Sequence, residues 1–310
     1  MTQYKRNKLT LYCTIDGVKT PVVYKNSRNY FNAEDGFLDN VTVTSDKRLA
    51  QQQSLKQTTK PINKFTETVT TTTTTPQGGT VTTTSTKTIA PTFIFDYTSG
   101  VRGDAGQVVR WASQDSSLSL DQATQANRPF LSITGKGVVG SSSIFFHATE
   151  QSFLTASSDV TLTGDFTLFA YLHLVPIDKI NKYVRILGNS GDANMFLVAR
   201  EGSTSYELAF TSSSRAEANV SSIPFNYKDG KFLLTLIRSK DRLSIRENGV
   251  EVADVSCPTD DFTFNQIGRV GTGASTLNGG IYHLSAYDEA ISDKLTSIED
   301  AIIKTSEFIK

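Results

Sequence analysis

The stretch from Lys231 to Ser256, KFLLTLIRSKDRLSIRENGVEVADVS, constrains the fold more than any other part of the chain. Phe232, Leu234 and Leu236 alternate with Leu233, Thr235 and Ile237, so apolar groups fall on both faces of a period-two run, as in a strand covered on both sides. Polar Ser239-Lys240-Asp241-Arg242 interrupts the pattern, and Leu243 and Ile245 resume it. Asn248-Gly249 then supplies the two left-handed positions of a tight hairpin turn, and Val250 and Val252 carry a third strand. Three antiparallel strands joined by short turns make a meander, whose apolar face requires a second layer. With 310 residues the chain is long enough for one large β domain or two medium ones.

The rest of the second half supplies that layer. Phe93-Ile94-Phe95, Val108 to Trp111, Ser142 to Phe146, Phe153-Leu154 and the long alternation from Phe166 to Leu174 read as strands. Val184 to Leu187, Met195 to Arg200, Tyr206 to Phe210, Phe262 to Gly268 and Gly280 to Tyr287 follow at the short spacing of a sandwich. Asp115 to Arg128 reads as a polar loop. Leu295, Ile298, Ile302 and Ile309 change to helical spacing, with Ser292 as N-cap, so one amphipathic helix is expected over residues 292–309, its stripe packed on the sandwich.

Two segments precede this domain. Residues 1–50 form a small β module: Leu9 to Ile15 alternates, Asp16-Gly17 is a hairpin turn, and Val18 to Tyr24 returns with Pro21 marking an edge position. Val41 and Val43 suggest one more short strand. So small a unit buries little apolar surface alone and is expected to complete itself on a partner. Residues 51–92 are of low complexity, with an unbroken threonine run from Thr70 to Thr75 and Thr82-Thr83-Thr84 after Gly78-Gly79. Threonine is β-branched and favours extended backbone, so this is a stiff extended neck whose open edges invite pairing with identical strands of neighbouring subunits.

Charge excludes several functions. Lys plus Arg and Asp plus Glu both number 31, and this balance predicts no nucleic-acid partner and no anionic membrane surface. No apolar run is long enough to span a bilayer, and MTQYKRNKLTLYC lacks a signal core, which predicts no membrane insertion and assembly in a cytoplasm. Two cysteines, Cys13 and Cys257, make no disulfide framework and are expected as free thiols.

The ordered strands carry a family resemblance. From Arg110 to Leu131, RWASQDSSLSLDQATQANRPFL resembles the opening signature of the laminin-G-like branch of the concanavalin A-like lectin/glucanase superfamily: a Trp, a short polar stretch, an A-T-x-A-like segment and a residue before Pro. SIFFHATEQSFLTAS, DFTLFAYLHL, RLSIRENGVEVADV and NGGIYHLSAYDEAISDKLTSIEDAI resemble later strands and the closing helix of that family, in the family's order. The resemblance covers about residues 93–310 and implies a jelly-roll sandwich of two curved antiparallel sheets. Such domains are found in bacteriophage particles, in adhesins and beside glycosidase modules. The whole, a small β module, a Thr-rich neck and this sandwich, resembles a phage virion protein.

Candidate sites are sparse. Glucanases of the superfamily carry E-x-D-x-E on one strand, with one carboxylate as acid and one as nucleophile, and no such pattern occurs here. Glu251 and Asp254 lie three apart, which strict alternation puts on opposite faces. His147, His173 and His283 have no ligand spacing, so no zinc is expected. His173 shares a strand face with Phe169 and Tyr171, a row that reads as sheet filling. GRVGTG, from Gly268 to Gly273, opens no helix, lacks the P-loop lysine and reads as a turn. Arg102-Gly103-Asp104 matches the tripeptide integrins read, and a turn near the start of the domain explains it. Asp192 and Asn194 stand where laminin-G-like domains hold calcium, but two donors fall short of the six to eight oxygens such an ion takes. Trp111 corresponds to a family packing residue. No catalytic residue, metal or cofactor is therefore assigned, and no ligand-binding residue is named. The expectation is a non-enzymatic virion structural protein, a homo-oligomer attached to other virion proteins through residues 1–60. A glycan-binding receptor fibre with host-surface glycans as partner is the first alternative, and a glycan hydrolase the second.

Overall fold

Lys240 (φ 57°), Asn248 (φ 50°) and Gly249 (φ 83°) take the left-handed conformations that the two meander turns demand, and the three strands fall where the alternation puts them. These and the following observations come from a computed structural model, which describes residues 11–15, 18–26, 29–32, 65–75, 79–97, 99–104, 106–115, 117–132, 143–147, 150–175, 183–191, 196–201, 206–211, 224–225, 231–257, 259–269, 271 and 277–307.

The N-terminal sheet holds β1 (Leu11–Ile15), β2 (Val18–Asn26) and β3 (Asn29–Asn32), in that order. Ile15 pairs with Val18 across the expected hairpin; Asp16 and Gly17 themselves lie outside the described residues. The third strand is Asn29–Asn32, which carries no strong alternation; the one expected at Val41 and Val43 lies outside the described residues. Pro21 sits on the central strand, yet β3 reaches only Val22, so among the described residues the strand has a neighbour on one side alone at Pro21.

The neck differs from the expectation in one respect. Residues 51–64 and 76–78 lie outside the described residues; the strands β4 (Phe65–Thr74) and β5 (Thr80–Ile89) are extended but pair antiparallel with each other, so the first partner of each threonine strand belongs to the same chain.

The large domain continues with β6 (Phe93–Asp96), β7 (Val101–Asp104), β8 (Gln107–Ala112), β9 (Ser119–Asp121), β10 (Phe130–Ser132) and β11 (Ser143–Phe146). Then come β12 (Leu154–Leu162), β13 (Phe166–Leu174), β14 (Tyr183–Gly188), β15 (Phe196–Glu201), β16 (Tyr206–Thr211) and β17 (Pro224–Phe225). The meander is β18 (Lys231–Ser239), β19 (Arg242–Glu247) and β20 (Val250–Ser256), followed by β21 (Phe262–Ile267), β22 (Gly279–Tyr287) and the helix α1 (Leu295–Glu307). β13 lies at the centre of the first layer, paired along its length with β18 on one side and β22 on the other. β19 and β20 extend that layer, while β6 and β11 share the far edge of β22. The second layer is built on β21, flanked by β12 and β14 and continued by β15, β16 and β17. β9 pairs with both β8 and β12, so the hydrogen-bonded network turns from one layer into the other along that side. The fold is an all-β sandwich closed by one C-terminal helix.

Aromatic rings join the layers. Phe93 meets Phe264 edge-on at 5.8 Å, Phe166 meets Phe210 at 6.1 Å, and Phe95 lies 5.3 Å from Trp111. The other face of the first layer is covered by α1 through Leu295, Ile298 and Ile302, all buried. This explains why Phe166–Leu174 is apolar on both faces.

Three local expectations are corrected. The segment 115–128 is not all loop: it holds β9 and a 3-10 turn at Gln125–Asn127. β12 runs to Leu162, although Ala156-Ser157-Ser158-Asp159 lacks alternation, because a register shift between Thr155 and Val160 absorbs it. The helix starts at Leu295 instead of 292; the Ser292 hydroxyl donates to the Asp293 carboxylate (3.2 Å) and does not cap the first turn, and Ile309 is outside the described residues.

Candidate functional site

The covered face of the first layer brings together a group of polar side chains that sequence reading kept apart. β6 pairs with β22 so that Asp96 stands opposite His283, and alternation puts Ser285 on the same face two residues on. His283 Nδ1 lies 3.4 Å from Asp96 Oδ2, and its Nε2 lies 2.9 Å from Ser285 Oγ. A neutral imidazole that donates from Nδ1 to the carboxylate accepts at Nε2 from the serine hydroxyl, so both ring nitrogens are satisfied.

Carboxylate, imidazole and hydroxyl in this order form the bonding sequence of a hydrolytic triad. The surroundings remove its use. Asp96, His283 and Ser285 are 3%, 5% and 2% exposed. Ile298, Ala301, Ile302 and Thr305 of α1 close over them, leaving a cavity of about 20 Å³, room for about one water. Ser285 pairs with Phe169 on one side and Ile94 on the other, so the neighbouring backbone is committed to the sheet and offers no pair of N–H groups to a developing oxyanion. The row is a buried polar network that ties β6 to β22 beneath the helix.

Two further charged groups hold the cover in place. Arg246 on β19 makes a two-pronged pair with Glu299 of α1, Nε to Oε1 at 3.0 Å and Nη2 to Oε2 at 3.1 Å. Arg246 also donates to the Gly249 carbonyl, and Glu299 is 1% exposed. At the other end of the meander, Arg238 is fully buried and lies 4.6 Å over the Phe166 ring. It donates to the backbone carbonyls of Gly164 (2.5 Å), Leu162 (3.4 Å) and Asp260. Burial pushes its pKa down, but a guanidinium stays charged at any ordinary pH. Burial also pushes the Cys257 thiol up, against the opposing pull of Arg238, which leaves the thiol protonated and unreactive.

The structure places the sequence candidates as follows. Trp111 is fully buried and donates from Nε1 to the Asp96 carbonyl (3.0 Å), a packing residue as expected. Phe169 and Tyr171 are buried against Tyr287 (6.0 Å) and Tyr282 (5.5 Å), so their row fills the sheet face, with half-buried His173 at its end. His147 is half-buried between the rings of Phe130 (5.4 Å) and Phe145 (4.8 Å). No three His, Cys, Asp or Glu side chains converge into a metal site among the described residues. Arg102-Gly103-Asp104 forms β7 and not a turn, and the Asp104 carboxylate accepts from Arg128 (3.0 Å). Gly271 lies in a turn, as read for GRVGTG, while Val270, Thr272 and Gly273 of that stretch, and Asp192 and Asn194, lie outside the described residues.

Glu251 and Asp254 need a correction. A register shift after Ile245 sets Glu251 opposite Arg246 and Asp254 opposite Ser244, so the two carboxylates share one face. Each is engaged by its own neighbour: Glu251 accepts from the Ser244 hydroxyl (2.7 Å), and Asp254 pairs with Arg242 at 2.9 Å.

Tyr97 departs from this pattern of paired groups. Its hydroxyl is buried with no hydrogen-bond partner among the described residues, and burial pushes its pKa up. Its ring packs edge-on to Tyr282 at 6.0 Å. Tyr97→Phe keeps that contact and removes the orphaned group, so it is expected to raise the unfolding free energy by about 1 kcal/mol. A urea midpoint lower than that of the parent chain would mean the hydroxyl is bonded.

No protein-family model and no curated protein sequence matches the chain. Similar solved structures include an arabinofuranosidase complexed with arabinofuranosyl-alpha-1,2-xylobiose, at 12% identity over 80% of this chain and TM-score 0.46. The chain spans 60% of the length of that enzyme. Domain 4 of a GH43 extracellular arabinanase from Geobacillus stearothermophilus is similar at 14% identity, over 58% of this chain and 82% of that one, with TM-score 0.43. The binding domain of botulinum neurotoxin serotype D is similar at 9% identity, over 68% of this chain and 51% of that one, with TM-score 0.40. Overlap this partial carries no property of those proteins to this one.

Proposed function

We propose that this chain is a non-enzymatic structural protein of a virus particle, a bacteriophage by the resemblance of its architecture, with the sandwich displayed and residues 1–60 attached to other virion proteins. The observation that carries the non-enzymatic part is the fate of the chemically capable groups among the described residues. Asp96, His283 and Ser285 are sealed under α1 beside a cavity with room for about one water, and Arg238 and Glu299 are consumed in internal bonds. The attachment part rests on size: a module of about 50 residues with short strands buries little apolar surface alone, whereas the sandwich has a core of its own.

The glycan-binding alternative calls for a solvent-facing aromatic platform, and the exposed large apolar side chains among the described residues are Val81, Val250 and Val252. A glycan array probed with multivalent protein separates the readings: a blank array favours the structural role, and reproducible binding the receptor role.

Attachment is tested by truncation. Removing residues 1–60 is expected to leave a soluble, cooperatively melting β domain that no longer joins particles, while residues 1–92 fused to a reporter are incorporated. If the truncated chain assembles normally and the fusion does not, the attachment surface lies on the sandwich and the assignment of ends is wrong.

A further inference from the structure

Among the described residues the threonine hairpin has two open edges, and its chemistry indicates what completes it. β4 and β5 stay in register from Phe65–Ile89 to Thr74–Thr80 without a bulge. Strand alternation puts the opposed pairs Thr66–Thr88, Thr70–Thr84, Thr72–Thr82 and Thr74–Thr80 on one face, threonine against threonine in each. The other face begins with Phe65 and Ile89, both in the sandwich core. Phe65 lies 6.0 Å from Tyr287, and Lys87 bonds Glu289 at 2.8 Å, so the base of the hairpin is fixed to the end of β22. From there the hairpin projects as an arm: Thr70 to Thr74 and Thr80 to Thr88 are all exposed.

Such an arm is incomplete by itself. Two strands without a third are marginally stable in water. Proteins that must stay apart protect their edges with lysines, prolines, bulges or inward charges. Between Val69 and Thr74 and between Thr80 and Thr86 there is no charge, proline or bulge. A hydroxyl both donates and accepts, so an uncharged threonine surface is complementary to its own copy and meets no like-charge repulsion there. Along Thr70–Thr74 and Thr80–Thr86 a charged partner finds no opposite charge, and an apolar one finds Val81.

We propose that the arm is a self-association element, in which the open edges of β4 and β5 pair with the same arm of a second copy of this chain and extend two strands into a larger sheet. This holds whether or not the protein is attached to a particle.

The test uses the full-length chain. Thr70→Lys/Thr82→Lys puts one charge on each strand, at positions that are diagonal and not directly opposed, since their partners are Thr84 and Thr72. The parent chain is expected to sediment as an integral multiple of the chain mass at micromolar concentration, and the double variant as a single chain with an unchanged melting transition. Thr72→Cys should link copies covalently under mild oxidation, while Ser158→Cys, exposed on β12, should not. The Cys variants report contact between arms even if the lysine variant folds poorly. A parent chain that stays monomeric at high micromolar concentration overturns the proposal. So does an oligomer whose mass survives the lysines and whose arms do not cross-link.

Discussion

Replacing Arg238 by alanine is expected to cost at least about 3 kcal/mol of folding free energy, a large share of what a domain of this kind possesses. The guanidinium is fully buried, and its bonds to the carbonyls of Leu162, Gly164 and Asp260 join β18 to the β12–β13 connection and to the segment before β21. Truncation strands those acceptors in the interior and leaves a cavity against Phe166, over which the guanidinium lies at 4.6 Å. Lysine does not substitute, because a compact ammonium cannot reach three divergent carbonyls from one planar fork. Arg238→Met separates the two contributions, since it keeps the stem and discards the donors. Urea denaturation should show methionine nearly as damaging as alanine. A methionine variant within about 1 kcal/mol of the parent, close to an ordinary surface-mutation effect, would show that packing and not hydrogen bonding holds this corner.

Glu299→Ala is the second large effect, expected at about 3 kcal/mol and concentrated on α1. The carboxylate is 1% exposed and forked to Arg246, so its removal leaves a largely covered guanidinium that keeps only its bond to the Gly249 carbonyl. Hydrogen exchange should rise along Leu295–Glu307 and over the Asp96–His283–Ser285 row it covers, while β14 to β16 keep their protection. Arg246→Met/Glu299→Leu is expected to recover most of the loss, because a buried ion pair gains little over apolar groups of similar size and the damage comes from breaking it on one side. A double variant as unstable as the single one would show that the ion pair itself, and not the uncompensated charge, is what holds the helix.

Much of this architecture was legible locally. The alternation from Phe232 to Ile237 required a strand covered on both faces, and Asn248-Gly249 required a hairpin; both are period and turn properties that act over a few residues. The stripe of Leu295, Ile298 and Ile302 required a helix packed on something apolar. Even two of the three members of the polar row were readable, since His283 and Ser285 are two apart on one strand and must share a face. What the sequence could not show is where distant strands meet. Asp96 reaches His283 across 187 residues only because β6 pairs with β22, and Glu251 joins Asp254 on one face only because a bulge breaks the alternation between them. The threonine run shows the same division. Its β-branched side chains determined an extended backbone, while register decided that Thr74 meets Thr80 of its own chain. Local sterics and periodicity act through neighbours in the chain and are written in it. Pairing, register and the sealing of Ser285 under α1 are settled by burying the largest apolar surface at once, and only the assembled sandwich expresses them.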